Sequence, residues 1–291
     1  MTPPIAAAFP STSTSTSTST STSTKASASA SLYAGAPAEQ AVPWRLQATW
    51  ADSQAQVRAA QRLRFEVFSA EMGAQLPAEA LASRLDVDRF DASCEHLLVW
   101  AEDDEGRQPS QLVGTYRVLQ PAAARRLGGL YAEQEFDLAP LASLRPRMIE
   151  LGRACVHADW RSGGVIMCLW TALGRFMVQR QFDTMVGCAS VGLADGGDFA
   201  SALWRSVRES HLAAPEWRVT PHSPLVLGDG AAAHAPVTLR TMPPLIKGYL
   251  RGGACVLGAP AYDPSFHTAD LPVMMRLGDL TPRYRAQFLL P

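Results

Sequence analysis

"IELGRACVHADWRSGGVIMCLWTALGRFM", residues 149–177, is the stretch that decides the fold. It opens as an apolar strand (148–157), turns through Arg161, Ser162, Gly163 and Gly164, and continues as an apolar helix over 164–180. Val165, Leu169, Ala172 and Phe176 share one helical face, with Ile166, Leu173 and Met177 beside it, so the spacing predicts a helix buried nearly all round. The start of such a helix offers unpaired N–H groups and a partial positive charge in a water-poor setting. Two glycines keep side chains away from those amides and Arg161 adds a full charge, which makes the turn a cradle for a phosphate or pyrophosphate. An ordinary strand-to-helix turn uses glycine in the same way.

Glu150 stands inside the apolar strand, where an unpaired carboxylate is costly and tends to keep its proton. A structural ion pair and a catalytic base both fit this position. Glu150 and Arg153 point to opposite faces of a regular strand, and a bulge at Gly152 would bring them together. Arg117, in "GTYRVL", shares a largely apolar strand face with Val113, Thr115 and Leu119, as an arginine does when it grips a carboxylate.

Outward from this stretch, "WRLQATW" from residue 44 alternates as a first strand, and Asp52 is expected to cap a helix over about 53–72. That helix places Ala60, Leu63, Val67 and Ala70 inward, with Arg64, Phe68 and Glu71 in the adjoining stripe. Strands at 95–102 and 111–119 form an antiparallel hairpin across the turn "DDEGRQPS". After the central strand and helix come a strand at 184–191 and a helix from Gly197 to about His211. Beyond a linker, 212–242, lie "PPLIKGYLRGG", a hairpin of "ACVLGAPAYD" with "LPVMMRLGD", and a short terminal helix "PRYRAQFL". The Ser/Thr alternation from Ser11 to Thr24 and its continuation bury too little to offset ordering entropy, so residues 1–43 read as a disordered tail and 44–291 as one mixed α/β domain.

At 291 residues and 47% hydrophobic, the chain has ample material for a core. A formal charge of −1 gives no global attraction to nucleic acid, which is not expected as a partner. The five cysteines form no CxxC pair and sit mostly in apolar runs, as in a reducing cytoplasm; the histidines show no metal spacing, so no metal is expected. The sequence carries no secretory signal or run of the roughly 20 apolar residues that a membrane span needs. "GCASVG" has a cysteine where a GxSxG elbow needs glycine, and there is no phosphate-binding GxxxxGK[ST] loop.

The strand, turn and buried helix together resemble the acyl-donor-binding core of the GNAT superfamily of N-acyltransferases. The family's turn, Arg/Gln-x-x-Gly-x-Gly/Ala, reads here Arg161-Ser162-Gly163-Gly164-Val165-Ile166. Isoleucine at the last position departs from that pattern and suits the single phosphate of a carrier protein's phosphopantetheine arm better than the pyrophosphate of coenzyme A. The blocks "LRFEVFSAEMGA", "LDVDRFDASCEHLLV", "VGTYRVL", "IELGRACVHADWR", "GCASV" and "LPPLIKGYLRGGACVLGAPAYDPSFHTAD" resemble, in order and spacing, the L-ornithine Nα-acyltransferases over about residues 46–288. Acyl-homoserine lactone synthases share the landmarks more thinly and lack "LPPLIKGYLRGGA".

This resemblance implies a mostly antiparallel twisted sheet flanked by helices. It implies transfer of a 3-hydroxyacyl group from acyl carrier protein to the α-amino group of ornithine, giving lyso-ornithine lipid, with no permanently bound cofactor. Glu150 would be the base, Tyr249 or water would give a proton to the leaving thiolate, and an amide near Cys155 to His157 would polarise the thioester carbonyl. Arg64, Phe68, Asp86, Asp88, Asp91, Arg117 and Arg153 would bind the acceptor: Arg117 or Arg153 its carboxylate, one of the three aspartates its side-chain ammonium. Arg161, Gly163, Gly164 and Val165 would hold the phosphopantetheine phosphate. Arg175, Arg180, Lys247 and Arg251 would dock the acidic carrier protein. The expected location is the cytoplasm, with transient attachment to the inner face of the cytoplasmic membrane. The alternatives are a lactone-synthase-like enzyme and a GNAT-like protein that only binds acylated carrier or lipid.

Overall fold

The computed structural model describes residues 44–238 and 240–289; the Ser/Thr-rich tail lies outside the described residues. Strand β1 (Trp44–Trp50) leads into helix α1 (Gln54–Phe65), which runs on as a π-helical turn, Glu66–Glu71. The short helix α2 (Ala78–Ser83) precedes the hairpin of β2 (Glu95–Asp103) and β3 (Gln111–Leu119). Helix α3 (Pro121–Leu127) and the two-residue β4 (Phe136–Asp137) lead to β5 (Met148–Val156), α4 (Gly164–Gln179), β6 (Thr184–Gly192) and α5 (Asp198–Ser210). The last part holds β7 (Thr220–Pro221), α6 (Pro244–Gly252), β8 (Cys255–Val256), β9 (Ala261–Asp263), β10 (Thr268–Arg276) and α7 (Pro282–Leu289).

The main sheet runs β1-β2-β3-β5-β6-β10-β8, with β9 also on β10; β4 and β7 form a separate ribbon. Every neighbouring pair is antiparallel except β5 with β6. Leu97, Leu98 and Val99 are consecutive in β2 and all are fully buried, which requires cover on both faces of the sheet. Helix α4 supplies one cover, packing Val165, Leu169, Leu173 and Met177 against Leu97, Val99, Val113 and Ile149. The approach is close: a Cβ on Gly114 would fall 2.4 Å from Val165 Cγ1, so only glycine fits beneath the helix there. On the other face α1 and its π turn set Leu63 and Val67 against Cys155. Helices α5 and α6 pack Leu203, Val207, Ile246 and Leu250 with Val191, Leu271 and Val273.

Two details of the first helix differ from the sequence expectation. Its cap is Ser53, whose side chain accepts from the Gln56 amide, and Asp52 lies outside it. Ala60, Leu63 and Val67 are buried as expected, but Ala70 is exposed. The π turn supplies the reason: it widens the helix by one residue per turn, which rotates Ala70 off the 3.6-residue stripe.

Candidate active site

Strands β5 and β6 pair only through Met148–Glu150 with Thr184–Val186. They are still close at Gly187, where a Cβ would lie 2.4 Å from the Leu151 carbonyl, and then diverge. A cavity of about 910 Å³ opens between them, lined by both strands, the start of α4, and α6. A bulge bends β5 at this point: Arg117 faces Gly152, but Thr115 faces Cys155, so β5 carries one extra residue. The residue in the left-handed region is Arg153 (φ 51°) and not the neighbouring glycine. A non-glycine residue there costs about 1–2 kcal/mol, so the contacts of its side chain must hold it in place.

The bulge does not bring Arg153 to Glu150. Glu150, 5% exposed, accepts the Ala132 amide at Oε1 and the Tyr131 amide at Oε2, both at 2.7 Å. Burial pushes its pKa up to about 7, against the pull of these two amides and of Arg117. A carboxyl group half ionised near neutral pH, lining a cavity, is poised to take a proton.

Arg153 turns instead to the aspartates. Its Nε lies 3.2 Å from Asp86 and its Nη2 3.4 Å from Asp88, while its guanidinium covers the rings of Phe266 (4.7 Å) and Tyr131 (5.1 Å). Arg64, 1% exposed, bonds Asp86 Oδ2 at 2.8 Å and both oxygens of Asp91 at 2.8 and 2.9 Å. Arg117 donates from Nη1 to Asp88 at 2.6 Å. His96 joins the group, its Nε2 3.0 Å from the Asp91 carbonyl, and burial lowers its pKa. Burial alone would raise Asp91, but its bonds to Arg64 outweigh that and hold it below its ordinary value.

Three arginines and three aspartates thus neutralise one another. Arg64, Asp86 and Asp91 do not line the cavity, which corrects their expected place among acceptor-binding residues: they are a buried frame. Arg117, Arg153 and Phe68 do line it. Asp88 bonds both cavity-lining arginines and so fixes their positions.

At the start of α4, Gly163 has φ +100°, which explains glycine there; a Cβ on Gly163 would meet nothing within 4 Å. Arg161, Gly163 and Ile166 line the cavity, whereas the Val165 side chain is buried on the face of α4 that packs against Gly114 of the sheet. Arg161 is engaged within the chain: its Nε donates to the Val156 carbonyl at 3.1 Å, and its two Nη groups grip both oxygens of Glu71, one at 2.7 Å. The carboxylate at the end of the π turn therefore sits where the sequence pattern places a phosphate. The amide of His157 is spent on the Val113 carbonyl at 2.9 Å, which removes it from the residues expected to polarise the thioester.

Tyr249 lines the cavity, stacks on Trp170 at 5.4 Å and shares a hydrogen bond with Tyr116, whose hydroxyl no motif singled out. Burial raises both phenols. Lys247 and Arg251 line the cavity too. Arg175 and Arg180 do not; they are exposed near the far end of α4, so the expected docking group falls into two parts.

One further set of carboxylates carries no motif in the sequence. Asp263 and Asp270 line the same cavity and are 8% and 3% exposed; Glu135 packs beside Asp270. Burial, and after it the neighbouring carboxylates, raise the pKa of Glu135, and burial raises that of Asp270. Polar groups at every second position of a strand, Thr268 then Asp270, are a weak signal; their meeting with Glu135 depends on a segment more than 120 residues earlier.

Comparison with known proteins agrees with this architecture. A GNAT acetyltransferase domain family matches residues 63–171. Among solved structures, the acyl-homoserine lactone synthase LasI superposes with a TM-score of 0.45 at 13% identity, over 85% of this chain and 95% of that one. At that level the likeness decides nothing about activity. The L-ornithine Nα-acyltransferase of Agrobacterium fabrum is 36% identical over 82% of this chain and 83% of its own length, and that of Rhizobium meliloti is 36% identical over 82% of each. On that identity and coverage, this chain is an acyltransferase that belongs to the L-ornithine Nα-acyltransferase family.

Proposed function

We propose that the protein transfers a 3-hydroxyacyl group from acyl carrier protein to the α-amino group of L-ornithine, giving lyso-ornithine lipid. The relatives' names carry the acceptor to this chain. The observation that supports the chemistry is Glu150: a cavity-lining carboxyl with a pKa of about 7, beside Arg117. An ammonium cannot attack a thioester. Glu150 takes its proton, directly or through a water, and the freed amine forms the new N–C bond. The tetrahedral intermediate collapses with loss of the C–S bond.

The leaving group is a thiol with an ordinary pKa of about 8.5. Tyr249 is raised well above its ordinary value by burial and by Tyr116, so it is the weaker acid and donates a hydrogen bond, not its proton, to the departing thiolate. Arg117 or Arg153 holds the substrate carboxylate; among the described residues the Arg117 guanidinium donates hydrogen bonds through Nη1 alone, which leaves its other donors for a ligand. Arg161 and the first amides of α4 take the phosphate of the donor arm, which displaces Glu71 from Arg161. Lys247 and Arg251 at the cavity meet the acidic carrier protein. No helix among the described residues is long and apolar enough to cross a membrane, and a product with one long acyl chain leaves by transient contact of the protein with the bilayer surface.

The test is mass spectrometry after incubating purified protein with 3-hydroxyacyl carrier protein and a mixture of ornithine, lysine, glutamine and S-adenosylmethionine. Nα-acyl-ornithine is the expected product. An acyl-homoserine lactone would assign the chain to the related synthases, and a stoichiometric complex without product would make it a binding protein.

A further inference from the structure

Of the two acidic groups near the cavity, one is neutralised and one is not. Asp86, Asp88 and Asp91 face three arginines. No arginine pairs with Glu135, Asp263 or Asp270 among the described residues, although ligating atoms of Glu135, Cys188 and Asp270 lie within 4.8 Å of one another. We propose that Asp263, Asp270 and Glu135 form the pocket for a side-chain ammonium on the acceptor amino acid, and that they select a diamino acid over neutral ones. This rests on the acyl-transfer reading above and names the residues that set its specificity.

Hydrogen bonding leaves room for a cation. Asp263 Oδ1 accepts the amides of Ser265 (2.7 Å) and Phe266 (3.2 Å); its Oδ2 takes no hydrogen bond from the described residues, though Asp263 is more than nine-tenths buried and lines the cavity. Asp270 Oδ1 accepts the Thr268 hydroxyl at 2.7 Å. Glu135 Oε2 is buried without a partner among the described residues. Buried carboxylates without a cation are costly, and an ammonium with three donors repays that cost where water does not. Burial and the neighbouring carboxylates raise Glu135, whose side chain hydrogen-bonds Asp270, so without a cation the two carboxyl groups share a proton.

Position along the sheet matches the length of such a substrate. Glu150 pairs across to Val186 and Asp270 across to Ser190, so the base and the acid stand four residues apart along β6, about 13 Å at 3.3 Å per residue. The two side chains and a diamino acid with about 6 Å between its nitrogens, at about 1.5 Å per bond, can span this. Cys188, between Val186 and Ser190, faces Glu150 on one side and Glu135 and Asp270 on the other, and its thiol is raised by burial and by all three. Phe266 joins the acids to the arginines: its amide is on Asp263 and its ring lies beneath Arg153. A substrate held here has its carboxylate toward arginine, its α-amine toward Glu150 and its far ammonium toward Asp263 and Asp270.

The experiment compares kcat/KM for ornithine with that for norvaline, which has the same carbon chain and no ammonium. Wild type is expected to favour ornithine by at least about 100-fold, and the Asp263→Asn, Asp270→Asn double variant by less than about 10-fold. Asp263→Asn alone keeps a carbonyl oxygen for both amides, so it tests the idea even if the double variant fails to fold; its preference falls by at least about 10-fold. Calorimetry without donor is the second readout, with heat of ornithine binding in wild type and none in Asp263→Asn. An ornithine preference unchanged in both variants overturns the proposal. So does about one equivalent of divalent metal in purified protein whose removal abolishes transfer, since Glu135, Cys188 and Asp270 would then be its ligands. If no amino acid is acylated but wild type still binds ornithine and Asp263→Asn does not, the transfer reading fails and the pocket stands; loss of both signals overturns both.

Discussion

Asp86, Asp88 and Asp91 in one cluster and Glu135, Asp263 and Asp270 in another are the same chemistry in opposite states. The first three are tied down by Arg64, Arg117 and Arg153, and Asp91 is held below its ordinary pKa despite burial. In the second group burial outweighs the hydrogen bonds of Thr268 and Ser190 to Asp270 and of Cys188 to Glu135, and both acids rise. The number of acids does not separate a frame from a binding site. What separates them is whether the fold has already supplied the counter-charge.

The sharpest break falls on the carboxyl between the two groups. Glu150→Gln is expected to lower kcat by about 10²–10⁴-fold, with the rise of wild-type activity through pH of about 7 lost, as read from steady-state rates against pH. The new amide nitrogen must also face the Tyr131 or Ala132 N–H, so a melt should show a loss of about 1–3 kcal/mol. Next comes the frame. Arg64→Met strips the buried Asp91 of its two-oxygen partner and leaves Asp86 to Arg153 alone, and denaturant unfolding should register about 3–5 kcal/mol of lost stability. If the loss is below about 1 kcal/mol, the two groups are not opposites.

The pH dependence of stability sharpens the contrast further. Asp91, lowered in the fold, contributes stability that is present above its unfolded pKa of about 4 and lost as pH falls. Glu135 and Asp270, raised in the fold, contribute stability that is full below about pH 4 and lost as pH rises through their folded values. Asp270→Asn should therefore flatten the fall in melting temperature as pH rises above about 4, without lowering it at alkaline pH. Smallest is the donor side. The Arg161–Glu71 pair is exposed, and Glu71→Gln should change stability by less than about 1 kcal/mol while lowering the KM for acyl donor a few-fold, because Arg161 is then free to meet the phosphate.

Much of the fold was legible from local signals. The hairpin of β2 and β3, the apolar helix α4 and the final β8–β10 strands arise from periodicity and turn chemistry, which act over a few residues. Where expectation and structure part, a local rule met a local exception. The π turn at Glu66–Glu71 moved Ala70 off its stripe and left Glu71 on Arg161, and the bulge put the strained φ on Arg153, where the sequence offered Gly152.

By itself the sequence determined the order of elements, the glycine-opened start of α4, and the carboxyl and arginines of β3 and β5 as the chemistry to watch. Tertiary structure alone decided which acids are spent. Asp86, Asp88 and Asp91 look in sequence as available as Asp263 and Asp270. Their roles part only when β3 and β5 deliver arginines to the first group, while β9 and β10 set Asp263 and Asp270 on the cavity with no arginine paired to them among the described residues. Periodicity tells which way a side chain faces. The cost of burying its charge is set by neighbours that the chain brings from far away, and that cost is what makes one acidic group a frame and leaves the other for a ligand.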